Sequence, residues 1–418
     1  MTPEPGTVVI VADRLIDGTG ADPVEAAAVV CERGRITACG SRASLRIPRD
    51  AQVLEEADLT VLPGLMDMHV HLGMQAGMDL GRVLMTPQSL SLLWSVPNAR
   101  ATLDAGVTTV RDAGGTPAGV RMAIEQGLFA GPRTEVAVTI LGQTGGHADP
   151  WCPCGSELPL GAAGSPDIPH GVADGPDEMR RKVREVLRAG ADWIKLCTSG
   201  GVLSPGDQPE AAQLTLEEIT VAVEEAAAAG RRCMAHAMSP QGIRNAVSAG
   251  VATIEHGHLL DEEGAALMVE RGAWLVPTIV AVVDVIAHAD EYNLPEAMLA
   301  KAVRMREAQA GALRLALERG VNIAMGTDSG VGEHGGNARE LPHMVAAGMS
   351  PLDAIVAATR NPARLLGIDG DRGTLQAGLA ADLIAVRGDP VSDIALFNTV
   401  ANVRLVLRDG VVVCDRRD

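Results

Sequence analysis

Aromatic side chains are scarce in this sequence: two Phe, one Tyr and four Trp make up 2% of the 418 residues. Proteins that bind single-stranded nucleic acids stack the bases on aromatic rings, so this scarcity argues against that class. Basic residues are outnumbered as well, with 35 Lys and Arg against 53 Asp and Glu, which gives a formal net charge of -18. A surface of this charge repels nucleic acid and anionic lipid, and we therefore expect neither as a partner.

Long apolar runs are also missing. No stretch approaches the roughly 18 consecutive apolar residues that a membrane-spanning helix needs. The first residues, MTPEPGTVVIVADRL, contain neither a basic segment nor a long apolar one. We therefore predict no membrane span, no secretory signal and a cytoplasmic location.

Cysteine is limited to an odd, scattered set of seven residues. Without a secretory signal, such a set predicts reduced thiols rather than disulfides. Cys152 and Cys154 form the one close pair. We interpret them as two loop thiols, because a structural metal would need two further ligands that the nearby sequence does not offer.

Aliphatic residues, by contrast, are abundant, and hydrophobic residues make up 47% of the chain. Parallel sheets that are covered on both faces have this composition. One pattern recurs: a helix-like segment, then Gly, then an apolar strand, as at Gly106, Gly190, Gly250, Gly272 and Gly320. Gly is favoured just after a helix because it adopts the left-handed conformation without penalty. The repeat predicts βα units and a parallel sheet.

The chain is long enough for a barrel of about 250 residues and a second unit. Eight barrel strands are predicted, at 61–71, 108–112, 134–141, 193–198, 233–236, 252–256, 274–279 and 322–328. Helices are predicted at 216–229, 295–319, 338–347 and 351–366. Thr215 and Glu218 have the spacing of a capping box at the start of the first of these.

Both chain ends lack the helix–Gly–strand repeat. They contain short β-rich runs instead, at 8–12, 27–31, 35–39, 52–55, 381–387, 403–408 and 411–414. Asp409-Gly410 between the last two predicts a hairpin turn. We therefore predict an α/β fold: a (β/α)8 TIM-like barrel with a small β-sandwich domain formed by both chain termini. The sandwich would comprise residues 1–62 and 381–418, and the catalytic barrel residues 63–380.

Polar residues follow several of the predicted strands at the point where each strand ends. His69 and His71 are two apart, so their rings project from the same face of a strand. His236 and His256 close two neighbouring strands, and Asp328 closes the last. Each residue alone has an ordinary structural explanation. Because the carboxyl ends of parallel barrel strands meet at the active face, we expect these side chains to converge.

Lys195 interrupts the apolar strand predicted at 193–198. Burial lowers the pKa of a lysine and leaves a neutral amine, which can capture carbon dioxide as a carbamate. Alternatively, the stem is buried and the ammonium reaches solvent. Four imidazoles, one carboxylate and the carbamate would complete the ligand shell of two divalent ions, for which zinc is the expected metal. His258 lies beyond Gly257, where the strand should have ended, and is a weaker candidate ligand.

The chain resembles the metal-dependent amidohydrolases, a hydrolase superfamily with a deformed (β/α)8 barrel. The motifs that carry this resemblance are Leu62-Pro-Gly-Leu-Met-Asp-Met-His-Val-His, Ile194-Lys195, Ala235-His236, Glu255-His256-Gly257, Gly326-Thr-Asp328 and Gly373-Thr-Leu-Gln-Ala-Gly-Leu-Ala-Ala-Asp382. A narrower group is similar in Gln143-Thr-Gly-Gly-His147, Thr198-Ser-Gly-Gly-Val202-Leu-Ser-Pro-Gly and Asn337-Ala-Arg-Glu340-Leu. It contains prolidase-like and carboxypeptidase-like enzymes, including ochratoxin-hydrolysing amidohydrolases.

The resemblance implies that His69, His71 and Asp328 hold one metal ion, that His236 and His256 hold the other, and that carbamylated Lys195 bridges them. It implies cleavage of an amide bond of a dipeptide, an N-acyl amino acid or an ochratoxin-like amide by a hydroxide shared by the two ions. Asp328 would transfer the proton from the attacking water to the departing amine.

Further substrate contacts are expected from side chains that follow the third, fourth and last strands. His147 would donate a hydrogen bond to the substrate carbonyl oxygen or to a substrate carboxylate, and Val202, His334 and Arg339 would line the binding site. A small-molecule amide is thus the expected partner, and the alanine-rich helices favour a homo-oligomer. Two alternatives are a cyclic amide, lactone or carbamate hydrolase of the same superfamily and a non-catalytic assembly protein on the same barrel.

Overall fold

The computed structural model describes residues 6–77, 83, 85–152, 154–158 and 167–417. Its strands are β1 Val8–Leu15, β2 Val24–Glu32, β3 Arg35–Ser41, β4 Gln52–Glu55, β5 Leu59–Pro63, β6 Leu65–Val70, β7 Val107–Asp112, β8 Arg133–Val136, β9 Ile140–Leu141, β10 Trp193–Cys197, β11 Arg232–Ala237, β12 Thr253–His256, β13 Trp274–Val276, β14 Asn322–Ile323, β15 Leu383–Arg387, β16 Val403–Arg408 and β17 Val411–Asp415. Its α-helices are α1 Gln88–Leu93, α2 Ser95–Asp104, α3 Ala118–Glu125, α4 Pro176–Arg188, α5 Leu216–Ala228, α6 Pro240–Ala249, α7 Glu262–Arg271, α8 Ile279–Ala287, α9 Glu296–Arg319, α10 Glu340–Ala346, α11 Pro351–Ala357 and α12 Arg360–Leu366. Within these residues, none of the helices is both long enough and apolar enough to cross a membrane.

Strands from the two chain ends form a sheet in the order β17-β16-β15-β5-β1-β2-β3, with β4 beside β1. The long strand β1 pairs with β4 along its first half and with β5 at its last two residues. Hydrogen bonding therefore joins all eight strands in one sheet, whereas the sequence pattern predicted a sandwich. The predicted turn between β16 and β17 is confirmed, because Asp409 and Gly410 have φ values of 49° and 74°, as a two-residue hairpin requires.

The intervening chain supplies two parallel sheets, β6-β7-β8 and β14-β13-β12-β11-β10-β9. Backbone hydrogen bonds connect β6 to the segment that follows β14: the Met68 N–H donates to Met325 at 2.9 Å, and the His71 N–H donates to Ser329 at 2.7 Å. Among the described residues, the paired strands do not form one closed ring. All these strands are parallel, so their carboxyl ends share one rim.

Several element boundaries differ from the sequence-based expectation for local reasons. The strand expected at 61–71 is divided between the two parts of the fold at Gly64, whose N–H donates to the Asp382 carbonyl at 3.0 Å. The strand expected at 134–141 breaks at Val138, which has a φ of 64°. The helix expected at 351–366 breaks at Thr359, with φ -134° and ψ -85°. By contrast, the capping box of α5 is formed as expected.

A long loop follows β9, and the structure describes it in part. Its residues 153 and 159–166 lie outside the described part of the chain. The start of the loop is anchored to its end, because Gly142 pairs with Val172 and its N–H donates to the Gly171 carbonyl at 3.1 Å. Cys154 lies on the outer, exposed part of this loop.

Candidate metal centre

The structure brings all six predicted ligands to a single buried cleft at the rim of the parallel strands. The cleft is lined by His69, His71, Lys195, His236, His256 and Asp328, and none of these residues is more than 9% exposed. Neighbouring imidazole rings lie 4.6–5.3 Å apart between centroids. Nitrogens of His69 and His256 and an oxygen of Asp328 lie within 4.8 Å of one another.

Two histidines of this cleft face one carboxylate oxygen. The Nδ1 of His69 lies 2.7 Å from Glu255, and the Nδ1 of His71 lies 2.8 Å from the Gly114 carbonyl. In the neutral rings Nδ1 therefore carries the hydrogen, and each Nε2 lone pair points towards Asp328 Oδ1, at 3.4 and 3.1 Å. Lone pairs this close to a carboxylate need a proton or a cation between them.

Burial and charge give these two rings opposite pKa shifts. Burial, reinforced by Lys195, lowers the pKa of His69 to about 4. Burial acts in the same direction on His71, but the Asp328 carboxylate outweighs it and raises the pKa of His71. Desolvation opposes ionisation of Asp328, yet the two imidazoles and Lys195 hold its pKa well below the ordinary range. Asp328 is therefore an anion, which is the form in which a carboxyl group binds a metal ion.

The other two histidines are neutral imidazoles. His236 places Nε2 3.0 Å from the Gly200 carbonyl, and His256 places Nδ1 2.6 Å from the Thr278 hydroxyl. Burial, with added repulsion from neighbouring basic groups, lowers the pKa of both rings well below the usual value. Neutral imidazole is the form that binds a metal ion.

Two polar atoms of the cleft are buried without any hydrogen bond in the described structure: Lys195 Nζ and Asp328 Oδ1. A buried polar atom without a partner is costly, and such atoms are rare in folded proteins. Burial lowers the pKa of Lys195, which favours the neutral, nucleophilic amine. The orphaned atoms and the chemistry of the donor set fit a site that binds cations.

The backbone around the cleft is strained at three residues that are not glycine. His256, Thr278 and Asp328 have φ values of 71°, 48° and 59°, in the left-handed region. Residues of this kind cluster at functional sites, where surrounding structure must hold them.

A buried ion pair lies beneath the histidines and was not anticipated from the sequence. Glu255 accepts hydrogen bonds from Arg111 at 2.9 Å and from the Thr253 hydroxyl, in addition to its contact with His69. Burial alone would raise the pKa of Glu255, but Arg111 and His69 hold it at about 2. The Arg111 guanidinium also stacks on Trp193, 4.6 Å from the ring centre. The only sequence signal was an arginine inside an apolar strand.

The structure places two of the four expected substrate contacts at the cleft and the other two away from it. His147 lines the cleft, and Val202 lines its apolar extension with Leu203, Met238, Val282 and Val285. His258 also lines that extension, and it is buried without a well-formed hydrogen bond.

The other two expected contact residues, His334 and Arg339, interact with protein groups outside the cleft. His334 lies between the Thr102 hydroxyl and the His71 carbonyl, 3.2 Å from each. Arg339 makes a two-pronged ion pair with Asp284, at 2.7 and 3.1 Å. Neither is among the residues that line the cleft or its apolar extension.

Comparisons with known proteins agree with this geometry. The model of the amidohydrolase family matches residues 60–413. Ochratoxinase of Aspergillus niger is 34% identical over 98% of this chain and 87% of its own length. A Xaa-Pro dipeptidase crystallised with methionine in its active site is 35% identical, with a TM-score of 0.88 over 97% of this chain and 99% of that one. A prolidase complexed with N-methylphosphonate-L-proline is 34% identical, with a TM-score of 0.88 over 98% and 100%. These relatives imply a TIM-like barrel with a terminal domain.

Proposed function

This chain belongs to the amidohydrolase family, in the group of prolidase-like enzymes and ochratoxinase, and from that premise we propose a binuclear metal-dependent mechanism for it. The chain is a hydrolase that acts on amide bonds. The proposed substrates are dipeptides, N-acyl amino acids or ochratoxin-like amides. The observation that carries the proposal is the convergence of four imidazoles with the orphaned Lys195 amine and Asp328 oxygen in one buried cleft.

The ligand sets are proposed from the side-chain atoms of the six residues that no hydrogen bond within the protein occupies. His69, His71 and Asp328 would hold one ion, since both Nε2 atoms face the same carboxylate oxygen. His236 and His256 would hold the second, and Lys195, carried as a carbamate, would bridge the pair. Two cations there, most simply zinc, would supply a hydroxide at neutral pH and polarise the scissile carbonyl.

The protein's own groups then position the reactants and move the proton. The Asp328 carboxylate would take the proton of the attacking water and deliver it to the departing amine. His147 lines the same cleft and would contact the substrate beside the scissile bond. The aliphatic extension next to Val202 would bury an apolar side chain of the substrate and exclude water.

A cyclic amide, lactone or carbamate hydrolase remains the second candidate. The same donors would serve those reactions, since each also begins with attack of hydroxide on a carbonyl carbon. An aliphatic side pocket favours the first candidate over cyclic substrates that carry no apolar side chain to fill it.

The test is a substrate screen combined with metal analysis. N-acyl amino acids and dipeptides with varied C-terminal residues are assayed with and without added zinc, together with cyclic amides, lactones and carbamates. We expect about two metal ions per chain and the highest kcat/KM for an apolar C-terminal residue. Activity that survives complete chelation, or turnover confined to cyclic substrates, would overturn the proposal.

Two variants test the assigned roles separately. Lys195→Ala should lose one of the two metal ions, and short carboxylic acids should restore part of the activity by replacing the carbamate. Asp328→Asn, compared at equal metal content, should lower kcat by about 100-fold or more if Asp328 carries the proton. Near-normal turnover in Asp328→Asn, or two ions bound to Lys195→Ala without added acid, would contradict the respective role.

A further inference from the structure

A buried lysine that the proposed reaction does not use lies behind the wall of the cleft. Lys301 belongs to α9, and only 3% of its surface is exposed. Its ammonium donates to the Ser204 carbonyl at 2.7 Å and to the Gly201 carbonyl at 3.3 Å, and it lies 3.4 Å from an oxygen of Asp207. Lysine is almost never buried this deeply without partners. All three partners belong to one short segment, residues 201–207, in the loop after β10.

Asp207 supplies the negative charge that this ammonium requires. The carboxylate accepts hydrogen bonds from the Gly201 N–H and the Gln213 side-chain amide, each at 3.1 Å, and from the Ser204 hydroxyl. These groups and the Lys301 ammonium all act as donors, as an ionised carboxylate requires because it can only accept. The loop is therefore tied to α9 by a buried ion pair and by two of its own carbonyl groups.

The two carbonyls enclose the residues that line the apolar extension of the cleft. Val202 and Leu203 stand between Gly201 and Ser204 in the chain, and both contribute to that lining. Lys301 is not among the residues that line the cleft or its extension, so it binds both carbonyls from behind the wall. Backbone oxygens that are bound there do not have to face the pocket, and the aliphatic side chains can.

Apolar packing connects the same loop to the next wall of the extension. Val282 and Val285 of α8 also line the extension, and Val202 packs in one apolar cluster with both of them and with Ala302. Ala302 directly follows Lys301 in α9. The ammonium and its neighbour on the helix therefore fix where the loop stands relative to α8.

We propose that Lys301 is a positioning residue for substrate selectivity: it binds the loop carbonyls from behind and so keeps the wall formed by Val202 and Leu203 in place for an aliphatic substrate side chain. The proposal rests on the proposed amide hydrolase function and names a group outside the cleft that sets its side-chain preference. Without the ammonium, the buried carbonyls of Gly201 and Ser204 lose a donor, and the loop must shift to hydrate them. The wall between them shifts as well, and an aliphatic side chain gains less from entering the extension.

The test compares substrates that share the scissile amide and differ in one side chain. N-acetylglycine and N-acetyl-leucine vary the amine side, and glycyl-glycine and leucyl-glycine vary the acyl side. In metal-loaded wild type, the leucine compound of one pair should have a kcat/KM about 10–100-fold higher, because burial of a Leu side chain contributes a free energy of that order. Lys301→Met should reduce this ratio by about tenfold, mainly through KM of the leucine compound. The glycine compounds leave the extension empty, so their kcat/KM should stay close to the wild-type value.

Three further variants separate positioning from general damage. Lys301→Met leaves Asp207 as a buried anion without its cation, so Asp207→Asn/Lys301→Met removes both charges while the carbonyls still lack their donor. This double variant should lose the leucine preference as the single variant does. Lys301→Arg keeps the charge and the donors and should retain the preference. Gln309→Met removes another buried polar side chain of α9, about 12 Å further along the helix, and should leave the ratio unchanged.

Metal analysis of every variant ensures that lost ions are not mistaken for lost selectivity. The inference is wrong if the leucine-to-glycine ratio is unchanged in both Lys301→Met and the double variant, which includes an equal fall in activity on all compounds. A fall of the same size in Gln309→Met, or a wild type that hydrolyses leucine and glycine compounds equally well, would also overturn it and leave the hydrolase function standing. Hydrolysis of no compound by the wild type would refute the proposed function, and this inference with it.

Discussion

Replacing Glu255 by Gln should destabilise the protein strongly, although the two side chains have nearly the same shape. Glu255 and Arg111 are both fully buried and pair at 2.9 Å. Gln keeps one oxygen for a hydrogen bond but removes the negative charge, so Arg111 becomes a buried cation without its partner. Breaking a buried pair from one side costs about 3–5 kcal/mol. In a chain of this size that corresponds to a fall in Tm on the order of 3–6 °C.

The double variant Arg111→Met/Glu255→Gln provides the control for this reasoning. With the guanidinium removed, no uncompensated charge remains, and most of the lost stability should return. Scanning calorimetry of wild type, both single variants and the double variant gives the complete cycle. If Glu255→Gln melts with the wild type, Glu255 is not an anion in the folded protein and the electrostatic argument is wrong.

The same substitution has a second, separable effect on the cleft. Glu255 holds the Nδ1 hydrogen of His69 and so directs Nε2 towards Asp328. Losing an ionised partner behind a histidine ligand typically weakens metal binding by about 10–100-fold. The double variant should recover stability without recovering this affinity, because the carboxylate is still absent. Metal titrations against a competing chelator measure the difference.

The stability difference should also depend on pH, with a sign set by the lowered pKa of Glu255. In the fold that pKa is about 2, below the ordinary value of 4.5. The stabilisation from the carboxylate is therefore fully present above about pH 4.5 and is lost as the pH falls towards 2. Wild type and Glu255→Gln should accordingly converge in acid.

Other substitutions test the supports around the cleft. Glu340 accepts both N–H groups at the start of α8, so Glu340→Gln, which turns an NH2 towards one of them, should cost about 1–3 kcal/mol in urea unfolding. Gly171→Ala would push a β-carbon into the Ile140 carbonyl and should speed limited proteolysis of the loop that carries His147. Thr215→Ala removes the α5 cap and should cost about 1 kcal/mol in urea unfolding, while kcat/KM stays unchanged.

The convergence of the six candidate ligands could be predicted because it depends on one regularity. Five of them lie at the carboxyl end of a predicted strand and Lys195 lies within one, and parallel strands place their carboxyl ends on one rim. The prediction that His69 and His71 point to the same side required only the alternation of side chains along a strand. The cap of α5 and the hairpin at Asp409-Gly410 could also be predicted, because each depends on residues that are neighbours in the sequence.

Features that depend on distant partners could not be predicted. Asp207 accepts a hydrogen bond from Gln213 of its own loop and lies 3.4 Å from Lys301 of α9, and no spacing in the sequence reveals the second contact. Arg339 was expected at the substrate because of its place after the last strand, yet Asp284 holds it. The break at Val138 is similar, since a β-branched residue carries no local signal for a positive φ.

Charge balance connects the orphaned amine to the proposed metal pair. Asp328 is the one carboxylate among the six candidate ligands, and the charge of Glu255 behind them is matched by Arg111. Two divalent cations would face this single negative charge, four neutral imidazoles and the amine of Lys195, which offers no charge or a positive one. Conversion of that amine to a carbamate would add an anion beside the two ions, and Coulomb interactions are strong in a buried cleft. Metal binding and carbamylation should therefore be coupled. Raising carbon dioxide should increase metal affinity in the wild type, and the same change should have no effect in Lys195→Ala, where only added carboxylic acids can supply the missing charge.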